Sequence, residues 1–255
     1  MRIVSDHCAL SLGLAVSMAI LVGCGGGEET VNRELLVSAA ASLTDAFAAV
    51  ESAFEAANPD VDVAVNLASS SALREQILEG APIDVFASAD ISNMKEVVDA
   101  GMTGGEHQVF ATNLLQIAVP AGNPARVRGL EDLARDELLI GLCIEEVPCG
   151  RLARESLEKA GVTPAIDTDE PHVRSLLTKV EMGELDAGIT YVTDIAAAGG
   201  EVEGIDIPRQ ANVIAEYLIA VMADTSDAET ANAFMDFVLS DQGRSILADF
   251  GFGSP

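Results

Sequence analysis

Four helical patterns in this chain open on stretches of small residues and neutral hydrogen-bond donors. Ala39-Ala40-Ala41-Ser42-Leu43-Thr44-Asp45 leads into the first, and Ala68-Ser69-Ser70-Ser71-Ala72 into the second. Pro148-Cys149-Gly150 opens a third, and Glu170-Pro171-His172-Val173 a fourth. A helix N-terminus presents unpaired backbone N–H groups and the positive end of the peptide dipole, which makes it a seat for an oxyanion. Serine hydroxyls add donors without adding formal charge. That suits an anion fully ionised at neutral pH, which accepts hydrogen bonds and donates none.

For any single serine, ordinary capping is the stronger reading, and Ser42 with Asp45 also matches a capping box. The recurrence of the pattern is what points to binding. Arg74, Arg151 and Arg174 lie near the openings and could clamp an anion, but pairing with the chain's many carboxylates is the favoured role. Asp84 and Asp90 could in principle hold a metal; polar roles at a strand end and a loop start are the safer reading. His172 adjoins an opening and is read as a bystander. No Ser–His–Asp order, phosphate-binding loop or dinucleotide fingerprint appears, so the expectation is a binding protein and not an enzyme.

These openings need a scaffold that turns them toward one place. Leu35 to Ala40, Val61 to Leu67, Ile83 to Ser88, Leu114 to Val119, Leu138 to Leu142, Ala187 to Tyr191 and Tyr217 to Met222 read as strands. Between them lie helical patterns such as Ser42 to Ala57, with Leu43, Ala46, Phe47, Val50 and Phe54 on one face and Asn58-Pro59 as a stop. Leu73 to Glu79, Met94 to Ala100, Arg151 to Ala160, His172 to Met182, Ala228 to Leu239 and Gln242 to Asp249 are further helices. Alternation on this scale predicts an α/β fold with mixed, mainly parallel sheets covered on both faces. In such sheets the loops after the strands lie on one side, so the openings can converge on a cleft.

With 255 residues, 49% of them hydrophobic, the chain can bury one large core or two smaller ones. A formal charge of −27 argues against nucleic acid and anionic lipid as partners. It also opposes an anionic ligand, although salt screens distant charges over roughly 8–10 Å and leaves local donors effective. The absence of Trp, with only two Tyr, makes an aromatic sugar-stacking platform improbable.

Arg2 and an apolar run from Cys8 to Val22 read as a signal peptide, too short for a comfortable membrane span. Leu21-Val22-Gly23-Cys24 resembles a bacterial lipobox, which would make Cys24 the lipidated first residue of the mature protein; an uncleaved N-terminal anchor is the alternative. Both place the rest of the chain outside the cytoplasm. There, Cys143 and Cys149 read as a disulfide, with two separate buried thiols as the other reading. Two Cys with His107 and His172 do not make a zinc site.

The helix openings, together with Gly80-Ala81-Pro82-Ile83-Asp84-Val85-Phe86-Ala87-Ser88-Ala89-Asp90, resemble the molybdate-binding proteins of ABC importers. Val147-Pro148-Cys149-Gly150, His172-Val173-Arg174, Gly188-Ile189-Thr190-Tyr191 and Asp249-Phe250-Gly251-Phe252 follow in that family's order, so the likeness spans nearly all of the mature chain. The resemblance implies a two-lobed type II periplasmic-binding-protein fold that closes over one oxyanion. It implies ligand contacts from the side chains of Ser42 and Ser70, the backbone at Cys149 and Val173, and the Tyr191 hydroxyl, all reaching the metal of molybdate only through its oxygens. Position 149 is often Ala in the family, a change harmless to a backbone contact.

The resulting division is a signal peptide over 1–23, a lipid-linked tether over 24–32, one lobe from 33–113 and 222–255, and a second from 114–221. The hinge is expected near strands 114–119 and 217–222. The expected function is that of a monomeric, lipid-anchored extracytoplasmic protein that captures molybdate, with tungstate bound similarly, and delivers it to an ABC permease without any cofactor. A carrier of sulfate or another tetrahedral oxyanion is the alternative, followed by an extracytoplasmic enzyme and a sensor lobe.

Overall fold

The computed structural model describes residues 33–255. The signal peptide and tether expected from the sequence, and the lipid site expected at Cys24, lie outside the described residues. The chain begins with β1 (Arg33–Ala40), whose second half is almost wholly buried, followed by a short 3-10 turn and α1 (Thr44–Ala57). The apolar stripe read from the sequence is the buried face of α1: Ala46, Phe47, Val50 and Phe54 all point into the core. Phe47 and Phe54 pack edge-on against Phe234, with ring centroids 6.3 and 5.2 Å apart.

Next come β2 (Val61–Ala68), α2 (Ser70–Leu78), β3 (Val85–Ser88), α3 (Ile91–Asp99) and the long β4 (Gln108–Pro120). The second part of the chain supplies β5 (Ile140–Cys143), α4 (Pro148–Ala160), β6 (Ile166–Glu170), α5 (Val173–Glu181), β7 (Ala187–Tyr191), α6 (Val192–Ala197) and β8 (Val202–Asp206). Gly161 ends α4 in the left-handed conformation, φ 69°, which a side chain would resist. The chain returns through β9 (Ile214–Val221) and closes with α7 (Ala228–Leu239) and α8 (Asp241–Asp249).

The strands run in the order β2-β1-β3-β9-β4-β7-β5-β6, with β8 on β4. Pairing is parallel on both wings, β1 with β2 and β3, and β5 with β6 and β7. It is antiparallel wherever β4 or β9 takes part. The mixed character follows from the path of the chain, which leaves the first wing along β4 and comes back along β9. From Gln108 to Leu114, β4 pairs with β9; from Leu115 onward its partners are β7 and β8. Among the described residues β9 pairs with β3 and with the first half of β4. Among the described residues no helix is long and apolar enough to cross a membrane.

Candidate oxyanion site

β1, β2 and β3 run parallel to one another, as do β5, β6 and β7, and loops and helix openings that follow these strands meet at one cavity. The first wing contributes Ala41 and Ser42 after β1, Ser69 and Ser70 at the start of α2, and Ala89 after β3. The second wing contributes Val147, Pro148 and Cys149 at α4, His172 and Val173 at α5, and Tyr191 at the end of β7. Together they line a cavity of about 20 Å³. A single water needs roughly 10–15 Å³, so the space is on the scale of a small ion and not of a sugar or a peptide. Ser42, Ser70, Cys149, Val173 and Tyr191 all stand on its wall.

The hydrogen bonds around the cavity leave donors, not acceptors, facing it. Ser69 caps α2 by accepting from the Ala72 N–H at 3.3 Å, which releases its neighbour from that duty. The Ser70 hydroxyl oxygen accepts from the Ala89 N–H at 3.0 Å, so its own proton is free. Ser42 makes no cap at all. The capping box expected with Asp45 is absent because a 3-10 turn intervenes and α1 starts only at Thr44, with Leu43 at the cap position. The Ser42 hydroxyl instead meets the Tyr217 hydroxyl at 2.8 Å, and Asn113 donates to that phenol from 3.5 Å. If Tyr217 donates to Ser42, the serine proton is available to the cavity. The Tyr191 hydroxyl is buried and has no partner among the described residues. Burial, with Tyr217 and nearby carboxylates adding to it, raises its pKa well above the usual phenol value. It is a protonated donor with nothing to donate to.

The backbone adds to the set. Pro148 opens α4 and has no N–H, while the cap residue Val147 offers no side-chain acceptor, which leaves the Cys149 amide uncommitted to a cap. Cys149 is joined to Cys143 at the end of β5, with Cα atoms 5.9 Å apart. The next residue must be glycine: a Cβ on Gly150 would stand 1.8 Å from the Ile144 carbonyl oxygen. α5 is capped by His172, whose Nδ1 accepts from the Ser175 N–H at 3.1 Å. Beneath Tyr191, the Asp194 carboxylate accepts from the Tyr191 N–H at 3.0 Å and leaves its other oxygen unpartnered. Burial is the main cause that pushes the Asp194 pKa up to about 7.

Arg74, Arg151 and Arg174 are all engaged with carboxylates and stand off the cavity wall. Asp84 accepts from the Leu36 N–H and the Thr225 hydroxyl, and Asp90 caps α3, so both serve the fold. Among the described residues no group of three His, Cys, Asp or Glu could hold a metal ion. The sequence did not point to Tyr217 or Asn113, which brace Ser42 from behind; the one available signal was a phenol in an otherwise apolar strand pattern. Nor did it point to His172 as the cap of α5 and part of the wall.

A wall of hydroxyl and amide donors, with no carboxylate and no fixed cation on it, can hold a compact anion that only accepts hydrogen bonds. Comparison with known proteins places this geometry in a lineage. The molybdate-binding protein ModA of Mycobacterium tuberculosis is 38% identical over 256 residues, covering 96% of this chain and 98% of the relative. Two solved structures share the fold at 20% identity: the periplasmic molybdate-binding protein of Azotobacter vinelandii (TM-score 0.76, 87% of this chain and 99% of that one) and the sulfate-binding protein SubI of M. tuberculosis (TM-score 0.78, 86% of each). The fold is the type II arrangement of periplasmic binding proteins. The family model of bacterial extracellular solute-binding proteins matches residues 35–253. The chain belongs to that family, whose members bind solutes for ABC transporters and are not enzymes.

Proposed function

We propose that this protein captures molybdate outside the cytoplasm and passes it to an ABC permease, with Ser42, Ser70, the amides of Cys149 and Val173, and the Tyr191 hydroxyl as its contacts. The observation that carries the reading is the buried, unpartnered Tyr191 hydroxyl on a cavity where the Ser70 oxygen already accepts from the Ala89 N–H and the Ser42 hydroxyl is paired with Tyr217. A buried polar group without a partner costs free energy of order 1–3 kcal/mol, which a bound acceptor removes. Molybdate is fully ionised at neutral pH and supplies acceptors only. The ModA relative supports this choice of anion.

Tungstate has the same charge and nearly the same size, so a set of donors holds it equally well. Phosphate retains a proton that would need an acceptor, and the wall has no carboxylate to give one. Sulfate shares charge and shape but is smaller, so a pocket set for longer metal–oxygen bonds discriminates against it by geometry. The protein works as a monomer and without a cofactor, held to the membrane by lipid on Cys24. A single acyl chain anchors only marginally, which is why several chains on that cysteine are part of the reading. Calorimetry of the secreted chain with molybdate, tungstate, sulfate and phosphate tests it. Tight binding of the first two is expected, and tight binding of sulfate with none of molybdate would overturn the assignment.

A further inference from the structure

Twelve ion pairs occur among the described residues, and ten of them stay within one wing of the sheet system. The two exceptions both cross the cleft. Arg151 on α4 pairs with Asp90, which follows β3 in the first wing. Arg174 on α5 pairs with Asp45 in the first turn of α1. Both cations come from the second wing and both anions from the first.

Their placement follows the cavity. Arg151 lies two residues beyond Cys149, and Arg174 directly follows Val173; Asp90 directly follows Ala89, and Asp45 lies three residues beyond Ser42. None of the four lines the cavity. Asp90 is held rigidly in place, because its side chain is only 5% exposed and accepts from both the backbone and side-chain nitrogens of Asn93. Arg174 also lies close enough to the buried Asp194 to act on its carboxyl.

We infer that Arg151–Asp90 and Arg174–Asp45 form a two-point latch that holds the wings closed over the ligand, making these four positioning residues that set affinity without touching it. The inference rests on the binding reading above. A ligand that binds only the closed form has an apparent Kd equal to its intrinsic Kd divided by the closed fraction. Contacts made only on closure therefore enter the affinity directly. The opposing account is that the arginines simply attract the anion by their charge. The two accounts give opposite signs when a partner carboxylate is removed. Asp45→Asn leaves Arg174 fully charged and without its carboxylate partner, so charge attraction predicts tighter binding and a latch predicts weaker binding.

The test measures molybdate affinity by calorimetry and ligand-free shape by small-angle scattering on the secreted chain. Removing both cations by Arg151→Gln with Arg174→Gln is expected to weaken molybdate binding about tenfold and to enlarge the ligand-free radius of gyration. Asp45→Asn is expected to weaken binding, and the exchanged pair Asp45→Arg with Arg174→Asp to restore it to within about twofold of the parent. Tighter or unchanged binding in Asp45→Asn, or no recovery in the exchanged pair, overturns the latch. Should the parent fail to bind molybdate, the functional reading fails on its own. Scattering then decides the latch separately: expansion on removing the arginines supports it, and an unchanged radius overturns it.

Discussion

The hydroxyl of Tyr191 has two energetic roles of opposite sign. In the empty protein it is a buried donor without an acceptor, an arrangement that costs free energy of order 1–3 kcal/mol. With an anion in the cavity it becomes a hydrogen bond to a charged group, worth roughly 1.5–3 kcal/mol. Tyr191→Phe should therefore weaken molybdate binding by about ten- to a hundredfold while leaving the ligand-free protein as stable as before, or more stable by about 1 kcal/mol. Calorimetry and urea unfolding on the same preparation read both signs. Loss of binding accompanied by loss of stability would mean that the phenol serves packing and not the ligand. The serines are less clean probes, because each oxygen has a second duty. Ser42→Ala leaves Tyr217 with Asn113 as its remaining partner, and Ser70→Ala strips the Ala89 N–H of its acceptor. The pair of changes should still cost about 2 kcal/mol or more in binding.

At the scale of elements, the disulfide is what fixes one of the helix openings. It ties the end of β5 to the first turn of α4, at the point where Gly150 lets the helix backbone approach the Ile144 carbonyl. Closing so short a loop constrains the unfolded chain by about 2 kcal/mol. Replacing both cysteines with alanine should lower stability by about that amount and weaken anion binding several-fold, because the Cys149 amide loses its preorganisation. Urea titration checks the first effect and calorimetry the second. Unchanged binding in the destabilised variant would confine the bridge to folding. The openings of α1, α2, α4 and α5 were legible in the sequence because their signals are local: small residues, hydroxyls and a proline next to a helical stripe. What supports them was not. Tyr217 is 175 residues from Ser42, and nothing at that range announces a hydrogen bond. The strands β6 and β8 also escaped notice. Ile166-Asp167-Thr168-Asp169-Glu170 is polar, and Val202-Glu203-Gly204-Ile205-Asp206 is half exposed, so neighbouring strands and not hydrophobic pattern make them extended.

Over the whole molecule, 41 acidic residues face 14 basic ones. Nine of the basic residues, from Arg33 to Lys179, are paired with carboxylates, so little positive charge is left to act at a distance. The two arginines flanking the cavity are included in that cancellation, by Asp90 and Asp45. An approaching dianion therefore meets a negative field far out and neutral donors only at contact. Capture and approach are governed by different terms, and salt separates them. Raising KCl from about 0.01 M to about 1 M shortens the screening length from roughly 30 Å to 3 Å. The long-range repulsion vanishes over that range, whereas hydrogen bonds inside a small, enclosed cavity are screened much less. The association rate of molybdate should consequently rise with KCl, with the dissociation rate changing far less, which is the reverse of an electrostatically steered ligand. Stopped-flow measurement of tyrosine emission suits the test, since Tyr191 lines the cavity and Tyr217 lies behind Ser42. An association rate that falls with salt would instead show that the helix N-termini and their arginines steer the anion despite the net charge.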